Sequence, residues 1–107
     1  MKGFFILSHD HSFEVAPSDL EEMTFEEARE LSRNERWRLP YKEEHELMYR
    51  LHQKTIGNFQ FASYWSAEGY NNKNAFTFSY SNGMSFQLTT TQSKPAPKKP
   101  VRLVRTI

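Results

Sequence analysis

At Gly57 the sequence changes character, and that change limits the folds open to it more than any other feature. Before it, charged residues recur with a helical period. From Gly57 to Ser93 only Glu68 and Lys73 are charged, and aromatic residues are interspersed with Ser, Thr, Asn and Gln. A period near 3.6 followed by a period of 2, each in its own stretch, predicts helices segregated from antiparallel strands, an α+β class rather than alternating βαβ units. With 107 residues and 37% hydrophobic content, the simplest expectation is a single domain, residues 1–107, built on one core.

The apolar run Lys2 to Ser8 predicts an edge or closing strand, His9 to Ser12 a polar turn, and Phe13 to Ala16 a second extended piece. Two capping-box patterns follow, Ser18 with Glu21 and Thr24 with Glu27, in which the hydroxyl covers one orphan N–H and the glutamate another. The first fits one short turn. The second starts a helix reaching about Asn34, with Phe25, Ala28 and Leu31 as its apolar stripe. Trp37 to Leu39 reads as an extended link. Pro40 then opens a second helix, where its missing N–H costs nothing, running to about Lys54 or Thr55 with Leu47, Met48, Tyr49 and Leu51 inward. His45 lies on that same side, with His52 one heptad on.

Later strands are predicted over Ser63 to Ala67, Ala75 to Tyr80, Met84 to Thr91 and Val101 to Thr106, with a hairpin turn at Ser81, Asn82 and Gly83. Alternation assigns Phe76, Phe78 and Tyr80, then Met84, Phe86 and Leu88, to the core and the intervening polar residues to the outside. The segment Ser93 to Pro100, with three prolines and three lysines, reads as an extended loop.

Charge is divided as sharply as period. Residues 1–68 carry 8 basic and 13 acidic side chains, a charge of −5, whereas residues 69–107 carry 6 basic and no acidic ones, a charge of +6. The absence of cysteine excludes disulfides, thiolate metal ligands and thiol nucleophiles, and fits a reducing compartment. The apolar run Phe4 to Leu7 is shorter than the roughly 7–15 residues of a signal-peptide core, and no stretch has transmembrane length. A cytoplasmic protein without a membrane partner is expected.

The blocks VAPSDLEEMTFEEA, WRLPYKEEHELMY, IGNF, YWSAEGY, NAFTFSYSNG and VRLVR, in this order, resemble a bacterial and phage domain-of-unknown-function family, the Lcl C-terminal type. The resemblance covers about Phe13 to Ile107. It implies a C-type-lectin-like fold, two helices packed on a small twisted antiparallel sheet, of the kind that binds sugars or proteins on strands and loops. Where members of the family resemble WRLPTKEEL, this chain has Tyr41 for threonine and His45 for leucine. The first change removes a helix cap worth about 1 kcal/mol. The second puts a histidine into a leucine site, which reads as a partly buried side chain with one hydrogen bond.

The expected function is a non-enzymatic binding module presenting a polar loop and strand face, Tyr70, Asn71, Asn72, Asn74, Ser85, Gln87 and Thr89, to a protein or glycan partner. Tyrosine supplies contact area at low entropy cost, and the amides and hydroxyls supply adaptable hydrogen bonds. Calcium is not expected, because no carboxylate follows Glu68. His9, Asp10 and His11 lack a third ligand at metal spacing, so no metal or other cofactor is expected. No Ser and His pair is spaced as a triad, and the formylglycine-generating relatives of this fold depend on cysteine, so no catalytic residue is expected. The alternatives are nucleic-acid binding through the basic residues Lys94, Lys98, Lys99, Arg102 and Arg105, or a phage or mobile-element protein that inhibits a host factor by covering its surface. The Lys2 to Ser8 edge leaves monomer and homodimer both open.

Overall fold

Among the described residues ten elements follow one another: β1 (Phe4–Ile6), β2 (Phe13–Val15), β3 (Leu20–Met23), α1 (Phe25–Arg33), α2 (Lys42–Gln53), β4 (Ser63–Trp65), β5 (Asn74–Ser79), β6 (Ser85–Thr89), β7 (Lys99–Val101) and β8 (Val104–Thr106). They come from a computed structural model that describes residues 3–8, 11–33, 36–67, 74–89 and 97–107. All pairings are antiparallel, in three small sheets ordered β1-β2-β8, β3-β7 and β4-β5-β6. The protein is thus a compact α+β domain with two helices, and its Cα radius of gyration of 13.1 Å is that of a close-packed chain of this length.

α1 begins where Thr24 and Glu27 predict it. The Thr24 hydroxyl accepts from the Glu27 N–H at 3.2 Å, and Glu27 accepts from the Thr24 N–H at 3.0 Å, so each side chain covers the other's backbone. Phe25 and Ala28 are buried, but Leu31 is exposed, so the apolar stripe is shorter than the spacing implies. The Ser18 to Glu21 pattern does not make a helical turn. Its residues lead into β3, where Glu21 and Glu22 point outward from a two-stranded sheet and Leu20 pairs with Val101. The same four residues suit a box or an edge strand, and a pairing partner far along the chain decides between them.

α2 starts at Lys42 with Tyr41 as its N-cap, so Pro40 stands before the cap rather than at the first helical position. The Pro40 carbonyl instead accepts from the Ala67 N–H at 2.8 Å and from the Ser66 hydroxyl at 3.2 Å, fastening the start of α2 to the end of β4. The helix ends in a turn with Thr55, Gly57 and Asn58 all at positive φ (59°, 96° and 55°). For β-branched Thr55 that backbone is strained.

The β4-β5-β6 sheet is covered on both faces. Phe13, Val15, Met48, Phe59, Tyr64, Phe78, Tyr80 and Val104 form one core, while Phe25, Ala28, Leu39, Trp65, Ala75, Val101 and their neighbours form another. This departs from the single core expected from composition. It also revises the reading of the hairpin. Phe78 pairs with Ser85, Phe76 with Gln87 and Thr77 with Phe86, so the polar residues of β6 share a face with the aromatics of β5. Thr77 is buried, whereas Met84 and Phe86 are exposed, because the second core reaches only the Leu88 end of β6. Alternation identifies two faces but not which of them is covered.

The hairpin turn falls at Ser81 to Gly83, with Gly83 at φ 72°. A Cβ there would lie 2.6 Å from the Tyr49 ring. Gly83→Ala is therefore expected to cost at least about 1–2 kcal/mol, the penalty for left-handed backbone alone, as read by urea denaturation. The prolines do not keep Lys99 to Val101 out of a sheet either. Pro100 sits in β7, which among the described residues is hydrogen-bonded as a strand only to β3, and proline is tolerated at such an edge.

Candidate functional site

The start of α2 carries the most concentrated chemistry of the fold. Glu44, one turn into the helix, is buried at 1% exposure, and both of its oxygens are saturated. Arg38 donates to it through both Nη atoms, each at 2.7 Å, the Tyr41 N–H donates at 2.8 Å and His11 Nε2 at 2.6 Å. Burial pushes the carboxyl up, but these hydrogen bonds, Arg38's first, more than reverse it and hold Glu44 below its ordinary value. The carboxylate thereby supplies the half of a capping box that Tyr41 cannot. Arg38 is fixed in turn: its Nη groups also donate to the Leu39 carbonyl and to Thr106 Oγ1, and the guanidinium lies 4.9 Å from the Tyr41 ring centre.

Against this anchor lies a cleft of about 410 Å³. Phe25, Arg29 and Ser32, spaced i, i+4 and i+7 on α1, form one wall, and Arg38, Leu39, Tyr41 and Ala67 form the other. Tyr41 is half-exposed at 45%. An aromatic face, two guanidiniums and a hydroxyl around an apolar floor suit a ligand with both polar and apolar surface.

Among the described residues, no predicted binding residue lines this cleft: Asn74, Ser85, Gln87 and Thr89 lie on the face of the sheet that carries Phe76 and Phe78, and the rest are outside the described residues. Tyr70, Asn71 and Asn72 are not among those described. Ala67, the last described residue before them, lies in the cleft wall, and Asn74, the first described after them, begins β5. Asn74 pairs with Thr89, and Gln87 is exposed on the same face of the sheet. Ser85 is partly buried and donates to the Thr77 carbonyl at 3.3 Å. Arg29, Ser32 and Tyr41 escaped the sequence reading. The usable signal is the i, i+3 pair Arg29 and Ser32 beside the apolar stripe that begins at Phe25.

The histidines are mostly absorbed by the fold. His45 is fully buried. Its Nε2–H donates to the Trp65 carbonyl at 3.1 Å and its Nδ1 accepts from the Tyr80 hydroxyl at 2.8 Å, which fixes the tautomer because a carbonyl can only accept. It thus makes two hydrogen bonds and not the one expected. Desolvation lowers its pKa to about 4. His52 is buried edge-on against Phe61, and its Nε2 has no hydrogen-bond partner among the described residues. His9 and Asp10 lie outside the described residues. Among those described, no group of three or more His, Asp or Glu side chains is placed to hold a metal ion.

The basic C-terminal stretch is not one surface. Arg102 is buried and its Nε donates to Asp19 at 2.7 Å, and Arg105 pairs with Glu14. Both carboxylates lie outside the helices, so the acidic helices are not the partners of these arginines. Lys98 is exposed, Lys99 lies in β7, and Lys94 is outside the described residues. Among the described residues, no helix is long and apolar enough to cross a membrane. The sequence matches no protein-family model and no curated protein.

Proposed function

We propose that this protein is a non-enzymatic binding module of C-type-lectin-like fold whose protein or glycan ligand seats in the cleft between α1 and the start of α2. Tyr70, Asn71 and Asn72, which follow Ala67 in the sequence and lie outside the described residues, are proposed as further ligand-binding residues. One observation carries the reading: Phe25, Arg29, Ser32 and Tyr41 line one cleft with both polar and apolar surface, and Ala67 lies in its wall. The buried ionisable groups Glu44, His45 and Arg102 are committed to internal partners that hold the structure together. The two helices and small antiparallel sheets agree with what the family resemblance implies.

Binding to a glycan array and capture of host proteins, compared between the wild type, Tyr41→Ala and the triple alanine variant of Tyr70, Asn71 and Asn72, test this. Both variants are expected to stay folded and to lose about tenfold or more in affinity, or roughly 1.4 kcal/mol. Unchanged binding in both would remove the cleft as the site. Nucleic-acid binding is less favoured, since Arg102 is withdrawn from solvent and Arg105 is paired. Retention on heparin that falls steeply with salt would restore it.

A further inference from the structure

A second groove lies on the other side of Arg38, at the outer edge of β8. Val104 exchanges both backbone hydrogen bonds with Arg38, at 2.8 and 2.9 Å. In an antiparallel ladder the next residue whose N–H and C=O face the same way is two positions on, which is Thr106. The residue opposite it would be Arg36, but the chain bends there, and no backbone bond joins Arg36 to Thr106 among the described residues. The two segments therefore splay apart and leave one donor and one acceptor of Thr106 open, at a groove of about 450 Å³ lined by Phe5, Arg36, Arg38, Arg105, Thr106 and Ile107.

The three arginines of this groove differ in what they have left to give. Both Nη atoms of Arg38 are spent on Glu44, Leu39 and Thr106. Arg105 gives only Nη2, to Glu14, and its guanidinium is held 5.0 Å from the Trp37 ring centre. Arg36 is exposed and, among the described residues, makes no hydrogen bond or ion pair. Among the described residues three guanidiniums thus meet two carboxylates, and the unbalanced charge sits on Arg36, whose five donors have no partner there. Flanking them, Phe5 is 57% and Ile107 67% exposed.

We propose that this groove takes an extended acidic peptide segment of a partner protein. The peptide main chain adds to the open edge at Thr106, its carboxylate is held by Arg36 and Arg105, and a neighbouring apolar side chain lies against Phe5 and Ile107. Main-chain addition supplies affinity and the guanidinium forks supply specificity for a planar carboxylate. A nucleic acid fits less well. Glu14 and Glu44 stand behind two of the arginines, and a phosphodiester chain offers no matched donor and acceptor for Thr106.

Blocked Glu-X-Glu peptides, with X as Val, Leu or Phe, their Gln-X-Gln isosteres and a short single-stranded oligonucleotide serve as probes against the full chain in amide-resolved NMR titrations. At least one acidic peptide is expected to saturate below about 1 mM, to bind about tenfold tighter than its isostere, and to shift the Arg36, Thr106 and Ile107 amides. Arg36→Glu, a change at an exposed residue, should abolish this binding and leave the spectrum of the free protein otherwise intact. Tyr41→Ala should leave it unaffected, which separates the groove from the cleft. No saturation by any acidic peptide, equal binding of the isosteres, shifts confined to the cleft, or tighter binding of the oligonucleotide at the same amides would each overturn the proposal.

Discussion

Replacing Arg102 by methionine is expected to remove a large share of the stability of this domain. The guanidinium is 1% exposed and donates to Asp19 Oδ1 at 2.7 Å and to the carbonyls of Gly57 at 2.9 Å, Asn58 at 3.0 Å and Ala16 at 3.3 Å. It also lies 4.2 Å from the Phe59 ring centre. Asp19 in turn accepts from the Tyr64 hydroxyl at 2.6 Å and from the Gln60 side chain at 2.8 Å. Removing the arginine strands a nearly buried carboxylate and several carbonyls together. Breaking a buried pair from one side costs about 3–5 kcal/mol, against a total of roughly 5–15 kcal/mol for a domain. Urea denaturation at neutral pH reads this directly, and a change below about 1 kcal/mol would refute it. Arg102→Lys should fail too, because one ammonium cannot reach four acceptors in different directions. The arginine also holds the carbonyls of the strained turn, so its loss should loosen Thr55 to Asn58 first.

Acid sensitivity is expected next, with His45 as its main source. In the unfolded chain the imidazole gains a proton near pH 6.5, but in the fold only near pH 4. Between those values the unfolded state binds more protons, so stability is complete above pH 6.5 and is lost as pH falls towards 4. The loss amounts to about 3 kcal/mol. Protonation would also turn Nδ1 from acceptor to donor against the Tyr80 hydroxyl and bring a charge beside Phe78, on which the ring stacks at 5.4 Å. Glu44 acts in the same direction but lower. Its depressed pKa gives stability that is present above about pH 4.5 and vanishes as the carboxylate protonates. His45→Leu separates the two. It should cost about 1–3 kcal/mol at neutral pH, through the unpartnered Tyr80 hydroxyl and Trp65 carbonyl, while flattening the profile between pH 6.5 and 4. A variant that declines as steeply as the wild type over that interval would assign the effect elsewhere.

What could be read from the sequence was what neighbours in sequence decide. Thr24 and Glu27 cap α1 because four consecutive residues contain both partners, and Gly83 turns the hairpin because its backbone requires it. The burial of His45 follows from its place on the inner face of α2. What escaped depends on distant pairing. β3 exists because Leu20 meets Val101, β7 holds a proline because one of its edges needs no strand, and Phe86 is exposed because a core ends before reaching it. Arg102 was read as part of a basic surface because charge is visible in a sequence and burial is not. The cleft was missed for a related reason. Arg29 and Ser32 are unremarkable where they stand in the chain, Tyr41 stands out there only as a lost helix cap, and the three become neighbours only when α1 and the start of α2 face each other.

The pairing of β2 with β8 and of β3 with β7 also sets a schedule for synthesis. The strands made first have their partners among the strands made last. β1 and β2 can meet each other early, but two short strands alone are marginal in water. The β4-β5-β6 sheet can pair once Thr89 has emerged, but the β1-β2-β8 and β3-β7 sheets wait for residues 99–106, and until then Phe13 and Val15 lack β8. Folding is bound to be a late event and dominated by long loop closures, which slows it and leaves apolar strand edges open while it waits. The residues from Lys99 to Thr106 thus close the fold in time as well as in space.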